Sequence, residues 1–189
     1  MPDETKQATK KPGGWSAVRQ HLTTWNKPAL LALVKDLYEA AAVNRDFIQA
    51  RCQASESGGE VLEKYRRKIV EQFFPARGFG KLKLGEARKA IRDYRKATGN
   101  LAGTAELLMT YVENGAQFTR EYGDMDERFY SSVESALYDL AALLQGEARE
   151  LYPQFRDRLA AVEQMTAGIG WGFHDFVSDV VGRLEETVE

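Results

Sequence analysis

Residues 101–122, LAGTAELLMTYVENGAQFTREY, decide the fold class of this chain. The residues that recur there at helical spacing, on one face, are Leu108, Tyr111, Gly115, Phe118 and Tyr122. Asn114-Gly115 is a hairpin signal when alternating β patterns flank it, but helical patterns flank it here. The segment therefore predicts one long helix, and the glycine on its apolar face predicts a close approach by a neighbouring helix.

Amphipathic stripes of the same period continue on both sides of this segment. Asn26-Lys27-Pro28 predicts a helix start, because Asn caps a first turn and Pro is tolerated there. The stripe that follows consists of Leu30, Leu33, Val34, Leu37, Tyr38 and Ala41. Asn44 predicts the cap of the next helix, with Cys52 turned inward as a small buried hydrophobe, and Gly99 predicts a left-handed helix end.

Helical patterns account for nearly the whole chain and no strand pattern is convincing. About nine helices result, and several short loops predict antiparallel hairpins. The sequence predicts an all-α fold, either a single-domain bundle or a short irregular α-solenoid-like stack. Residues 15–189 are predicted to form this one helical domain, and the polar residues 1–14 a disordered N-terminal arm.

Charge is sorted along the sequence. Residues 64–96 carry twelve Lys or Arg and three Asp or Glu, whereas residues 97–189 carry six and seventeen. The first 63 residues carry eight of each, so the net charge of −2 conceals a basic segment followed by an acidic one. The simplest interpretation is that basic helices pack beside acidic ones within the fold, and a basic face for a partner is the alternative.

The composition excludes several classes of protein. With 43% apolar and 29% charged residues, the chain is not of the disordered type. Its single cysteine cannot form an intrachain disulfide and fits a reducing compartment, and two histidines give little support for a zinc site.

No stretch approaches the ~20 apolar residues of a membrane-spanning helix, and the start lacks an apolar signal segment. We expect a cytoplasmic protein with no membrane partner and no cofactor.

Four segments carry a resemblance to known sequences, namely residues 73–80 (FFPARGFG), 111–115 (YVENG), 122–130 (YGDMDERFY) and 170–175 (GWGFHD). Together with the stripe over residues 30–38, they resemble a bacterial family of uncharacterised all-helical proteins, a domain of unknown function. The likeness covers residues 27–182. It implies a small, bacterial, cytoplasmic and all-helical protein, and it brings no activity, cofactor or catalytic residue.

The loop at residues 77–83 is a candidate anion site. Its glycines let backbone N–H groups converge on an anion, its cations add charge, and Phe79 could stack on a base. The ending of a P-loop and its preceding strand are missing, and a solvated turn with Phe79 in the core is the competing interpretation. With the basic helices on either side, the candidate anion- or partner-binding residues are Arg67, Arg77, Phe79, Lys81, Lys83, Arg88 and Arg92.

A second candidate site lies at residues 168–179. His174 and Ser178 share a helix face and Asp175 is close by, which suggests a hydrolase. Spacing alone shows neither an oxyanion hole nor a group that orients the histidine. In the competing interpretation, Asp175 interacts favourably with the helix dipole and Trp171 fills a gap in the core.

An acidic turn offers a third candidate. Asp124 and Asp126 could bind Mg²⁺ or Ca²⁺ through carboxylate oxygens. The turn lacks the twelve-residue EF-hand pattern, and Asp126 is a natural N-cap for the helix that follows. The sequence therefore favours capping, with a metal as the alternative.

No complete catalytic or metal-binding constellation is present, so we expect a non-enzymatic protein-interaction module with a protein partner. Two alternatives stay open. One is binding of a nucleic acid or a phosphate-bearing ligand through residues 64–96, and the other is an enzyme centred on Trp171, His174 and Asp175. The oligomeric state is also left open.

Overall fold

The computed structural model describes residues 14–53 and 58–188. Over these residues the chain forms nine α-helices, one short 3₁₀ helix (Arg149–Leu151) and no strand, which confirms the all-α prediction. The helices are α1 (Trp15–Leu22), α2 (Lys27–Ala40), α3 (Ala42–Gln53), α4 (Gly58–Phe73), α5 (Leu84–Thr98), α6 (Leu101–Tyr122), α7 (Glu127–Gln145), α8 (Tyr152–Thr166) and α9 (Phe173–Val188). The predicted N-terminal arm lies outside the described residues except for Gly14, which precedes α1.

The chain divides into two compact units, Met1–Asp46 and Phe47–Glu189, with the boundary inside α3. In its described part, the first unit holds α1, α2 and the start of α3. The second unit holds the rest of α3 and all the later helices. The prediction of a single helical domain stays a prediction.

Helix α6 is the centre of the second unit. It packs against α4, α5, α7 and α8, and α9 in turn packs against α7 and α8. In a solenoid each repeat meets only its neighbours, whereas α6 meets four other helices. The second unit is therefore a helical bundle built around α6.

Helices α6 and α7 form one of the predicted antiparallel hairpins. Tyr111 Oη lies 2.6 Å from Ser132 Oγ. Nearer the turn that connects the two helices, Thr119 Oγ1 lies 2.8 Å from Tyr130 Oη. Residue numbers thus rise along α6 while they fall along α7. Helix α7 begins directly after Asp126, whose side chain accepts a hydrogen bond of 2.9 Å from the backbone N–H of Phe129.

The glycine in the middle of α6 lets the two helices approach closely. A Cβ added at Gly115 would lie 2.6 Å from Cγ2 and 3.1 Å from Cγ1 of Val133, both shorter than ordinary van der Waals contacts. Val133 is fully buried, and its branched side chain has little rotamer freedom. The prediction of a close helix approach at Gly115 is confirmed.

Aromatic rings fill the core between α4, α6 and α7. The ring of Phe73 makes edge contacts with Tyr111, Phe118 and Phe129 at centroid distances of 5.2, 6.3 and 6.3 Å. All four rings are buried. Edge-to-face pairs of this kind each contribute about 0.5–1.5 kcal/mol beyond their area burial, so this cluster fixes the relative positions of the three helices.

A half-buried ion network joins α4, α6 and α8. Glu106 on α6 accepts hydrogen bonds from Arg66 Nη1 at 2.9 Å and from Arg158 Nη1 at 2.6 Å. Arg158 also forms a bidentate pair with Glu113, at 2.7 Å for each bond. Burial acts to raise the pKa of Glu106, but the hydrogen bonds from Arg158 and Arg66 outweigh it and hold this pKa below its ordinary value.

Two further ion pairs join the basic α5 to the acidic α7 and to the turn that follows α7. Arg88 Nη2 lies 2.6 Å from Asp139 Oδ2, and Arg95 Nη2 lies 3.3 Å from Glu147 Oε2. Arg66, Arg88 and Arg95 all belong to residues 64–96, and their partners all belong to the acidic residues 97–189. The prediction that basic helices pack beside acidic ones is confirmed.

Two local predictions around α3 are wrong. Asn44 does not cap this helix, which begins at Ala42, and its side-chain amide instead donates to the backbone carbonyl of Leu37 at 3.0 Å. Cys52 is exposed. Helix α3 turns Ala50 to the core, with Phe47 packed against it, and residue 52 lies about 200° around the helix from residue 50.

The stripe on α2 has the predicted period but is not buried. No residue of α1 or α2 is buried, and Leu30, Val34 and Leu37 are each at least 36% exposed. The first unit has too few helices to enclose a core of its own. Periodicity correctly predicted the helix here, whereas its burial depends on neighbours that the stripe itself does not specify.

Replacing Glu106 by Gln should lower the free energy of unfolding by about 1–3 kcal/mol at neutral pH, because two arginines lose an ionised partner. The pKa of Glu106 is lower in the folded state, so its stabilisation is complete above the ordinary glutamate pKa of about 4.3 and is lost as pH falls through the lowered value. Denaturant unfolding between neutral and acidic pH measures both effects. Glu86→Gln is the control, since the exposed pair with Lys83 contributes less than about 1 kcal/mol. Equal losses in the two variants would contradict this role of Glu106.

Replacing Gly115 by Ala should lower the free energy of unfolding by about 1–3 kcal/mol, since the new methyl group meets the rigid Val133 side chain. Gly182→Ala on α9 is the matched control. A Cβ there meets nothing within 4 Å, so helix propensity alone should raise stability by up to about 1 kcal/mol. Thermal and denaturant unfolding measure both variants, and stabilisation of both would show that α6 and α7 can separate freely at residue 115.

Candidate functional site

The exposed apolar side chains are concentrated in the first unit. Of the twelve large hydrophobic side chains that are exposed in the described part of the chain, eight lie between Trp15 and Val43. Leu30, Val34 and Leu37 of this group are spaced i, i+4 and i+7 on α2, so they form a continuous stripe. A stripe of this kind on a helix that buries nothing is typical of an interaction surface.

The loop between α4 and α5 holds several of the predicted anion-binding residues. The backbone N–H of Leu82 donates to Gln72 O at 3.0 Å and closes the loop. Arg77 and Lys81 are exposed and have no ion pair within the described residues, whereas Lys83 lies 2.9 Å from Glu86. Arg67 on α4 is also exposed and unpaired within that part of the chain.

Phe79 neither enters the core nor stands alone in solvent. Its side chain is 58% exposed, and its ring contacts Phe118 and Tyr122 at centroid distances of 5.3 and 4.8 Å. The competing interpretation that placed Phe79 in the core is therefore wrong, because the ring covers the outer edge of the aromatic cluster. Base stacking by Phe79 and nucleic-acid binding through residues 64–96 stay predictions.

Arg88 and Arg92, the two candidates on α5, line one cavity of about 270 Å³ between α5, α6 and α7. Arg88 is held there by Asp139 and by Ser135 Oγ at 3.3 Å, with its guanidinium carbon 5.7 Å from the centroid of the Tyr111 ring. Arg95 lines the same cavity. The full lining consists of Arg88, Ile91, Arg92, Arg95, Thr104, Leu108, Asp139, Ala142, Leu143 and Glu147.

The candidate hydrolase residues sit at the start of α9. His174 is half-buried, and its Nδ1 lies 3.1 Å from Thr166 Oγ1 on α8. Within the described residues no hydrogen bond joins His174 to Ser178 or to Asp175, and Asp175 is exposed in the first turn. The structure thus gives His174 a partner from α8, while the enzyme alternative stays a prediction.

Trp171 is 66% exposed, so the interpretation that placed it in a core gap is wrong. Its backbone has φ +62°, in the left-handed region that L-residues rarely adopt. Gly170 and Gly172 flank it, and Gly172 also has a positive φ, of +70°. A bulky residue held in this region marks a strained position.

The acidic turn is tied into the fold. Asp124 Oδ1 accepts a hydrogen bond of 3.1 Å from the Tyr130 hydroxyl, and Asp126 caps α7 as predicted. Gly170 lies beside this turn, since a Cβ added there would be 3.5 Å from Asp124 Oδ2. Among residues 14–53 and 58–188, no three His, Cys, Asp or Glu side chains are grouped so that they could hold a metal ion.

Burial raises the pKa of the Glu134 carboxyl and of the Tyr94 and Tyr111 hydroxyls, and in each case burial is the largest cause. Hydrogen bonds to Thr98 and Ser132 partly offset the shifts of Tyr94 and Tyr111. None of these three groups lines the cavity between α5, α6 and α7. Their perturbed pKa values therefore reflect packing in the bundle.

No helix of the described part of the chain has both the length and the apolar character needed to span a bilayer. Comparisons of the sequence with protein-family models and with curated proteins, and of the fold with solved structures, find no match. The resemblance to a bacterial family of uncharacterised helical proteins stays a prediction.

Sequence reasoning missed two features of the candidate surfaces. It did not include Arg95 among the anion-binding residues, although Arg88, Arg92 and Arg95 follow the i, i+4, i+7 spacing that places side chains on one helix face. It also did not identify the α2 stripe as an exposed surface. The low number of helices before residue 46 was the available signal that no core forms there.

Replacing Trp171 by Asn should raise the free energy of unfolding by up to about 1 kcal/mol, because Asn adopts the left-handed conformation more readily and little buried surface is lost. Tyr138→Asn is the control, since Tyr138 is 63% exposed but lies in the right-handed helix α7. That control should not gain stability. Thermal unfolding compares the two, and a clear loss of stability in the Trp171 variant would contradict the assignment of strain.

Proposed function

We propose that this protein is a non-enzymatic helical module that binds a protein partner through the exposed apolar side chains of α1 and α2. The supporting observation is that α1 and α2 bury no residue although they carry most of the exposed large hydrophobic side chains of the described chain. Isolated helices of 8 and 14 residues are marginal in water, so a covering surface would stabilise them.

The composition of α2 indicates the chemistry of the partner. Lys35 and Glu39 lie on the polar side and pair with each other at 3.8 Å, so they leave little net charge for a partner to recognise. Leu30, Val34 and Leu37 instead provide anchors at the spacing used by helices that dock into apolar grooves. The partner we propose is therefore a protein that presents an apolar groove to a helix.

Site-specific photo-crosslinking tests this proposal. A photoreactive amino acid at Val34 should capture a partner protein in cells of the source organism, whereas the same group at Asp36, an exposed polar position on α2, should capture at least about tenfold less. Replacing Leu30 and Leu37 by Asp should abolish capture at Val34, since the anchors become charged.

Folding controls accompany the capture experiment. Because Leu30 and Leu37 are exposed, the Asp variants should keep the unfolding transition of the second unit unchanged. Equal capture at Val34 and Asp36 would contradict the proposal. So would a crosslink from Val34 that stays within the same chain or joins only two copies of it.

A further inference from the structure

We infer that the cavity between α5, α6 and α7 binds a small organic monoanion, a carboxylate joined to an apolar body. This site lies entirely within the second unit and does not depend on the proposed partner-binding side chains of α1 and α2. The volume of about 270 Å³ is slightly below the usual range for pockets that hold small molecules, so the ligand is compact.

Three arginines from successive turns of α5 supply the positive charge. Arg88 is engaged through Nη2 with Asp139, but its Nη1 is buried and has no hydrogen-bond partner. Buried donors almost always have a partner, and an unsatisfied one on a charged group is destabilising. Because this nitrogen has almost no accessible surface, an anion in the cavity that Arg88 lines would accept from it only after a shift of the Arg88 side chain.

The other two arginines also have donor capacity to spare. Arg92 is exposed and makes no ion pair or hydrogen bond within the described residues, although it lines the cavity. Arg95 reaches Glu147 only through long bonds of 3.3 and 3.4 Å, with both side chains about half exposed or more. Planar guanidinium groups bind carboxylates with two parallel hydrogen bonds. Because Arg92 has all its donors free among the described residues, we assign it as the main contact for the carboxylate of the ligand.

The charge balance of the cavity selects a monoanion. Three arginines face two carboxylates, Asp139 and Glu147, which leaves one positive charge uncompensated. A polyphosphate or a nucleic-acid backbone would bring several negative charges against these same carboxylates. One carboxylate neutralises the excess without that repulsion.

The remaining lining selects an apolar body. Ile91, Leu108 and Leu143 contribute to the wall and are each no more than 5% exposed. Thr104 is not a free donor, because its hydroxyl donates to the backbone carbonyl of Asn100 at 2.7 Å. A ligand whose carboxylate meets Arg92 therefore places its other end against hydrocarbon, where an aliphatic or aromatic group fits better than a hydroxylated one.

Titration of the full chain with benzoate, followed by two-dimensional NMR, tests the inference. Benzoate should cause saturating shifts at Arg92, Leu108 and Leu143 at concentrations below about 10 mM, and neutral benzamide, which has the same ring, should cause none. Inorganic phosphate should bind at least about tenfold more weakly than benzoate, since it lacks the apolar body.

Two charge-matched variants make the test specific. Arg92→Gln should weaken benzoate binding by about tenfold or more, whereas Arg67→Gln, which removes one exposed and unpaired arginine from α4, should change it by less than about twofold. Neither side chain has a partner within the described residues, so both variants should fold. Absence of saturating shifts, equal binding of phosphate, or unchanged affinity in the Arg92 variant would each overturn the inference.

Discussion

Helix α6 must satisfy four neighbouring helices at once, and the rest of the second unit depends on that constraint. Different faces of α6 carry different kinds of residue for these contacts. Gly115 admits α7 at close range, while Glu106 and Glu113 receive arginines from α4 and α8. Each contact restricts the rotation of α6 about its own axis. A single rotational position of α6 therefore has to satisfy all four neighbours. The aromatic cluster around Phe73 then fills the space left between α4, α6 and α7.

The separation of basic and acidic segments in the sequence is partly used by this arrangement. Arg66 pairs with α6, Arg88 with α7 and Arg95 with Glu147 in the turn after α7, so part of the positive charge of residues 64–96 is used within the bundle. Of the predicted anion-binding cations, Arg67, Arg77, Lys81 and Arg92 are exposed without ion pairs in the described part of the chain. Only Arg92 of these four lines the α5–α7 cavity, which sets it apart from charges that are simply solvated.

Much of the fold could be predicted because it depends on local chemistry. Asn26, Gly99 and Asp126 occupy the helix-end positions that their side chains or backbone freedom favour, and α6 runs unbroken through Asn114-Gly115. These helix ends, and the continuity of α6, follow from a few adjacent residues and from the helical spacing of the apolar residues. The all-α class followed from the same signals repeated along the chain.

The candidate sites were harder to predict because they depend on which helices meet. A cavity between α5, α6 and α7 requires side chains as far apart in the chain as Arg88 and Glu147 to converge, and no local pattern encodes that. The exposure of the α2 stripe and of Trp171 also depends on neighbours, and the stripe lacks enough of them. Sequence pattern shows that a face is apolar, whereas only packing shows whether it is covered.

The pairing of helices that are consecutive in the chain has a consequence for the folding rate. Each of the pairs α4–α5, α5–α6, α6–α7 and α8–α9 joins helices that are consecutive in the chain. Contacts between consecutive helices close short loops, and chains dominated by such local contacts cross a lower entropic barrier and fold in microseconds to milliseconds. The hydrogen bonds from Arg66 and Arg158 to Glu106 span 40 and 52 residues, so they close longer loops, at a larger entropic cost, than the contacts between consecutive helices.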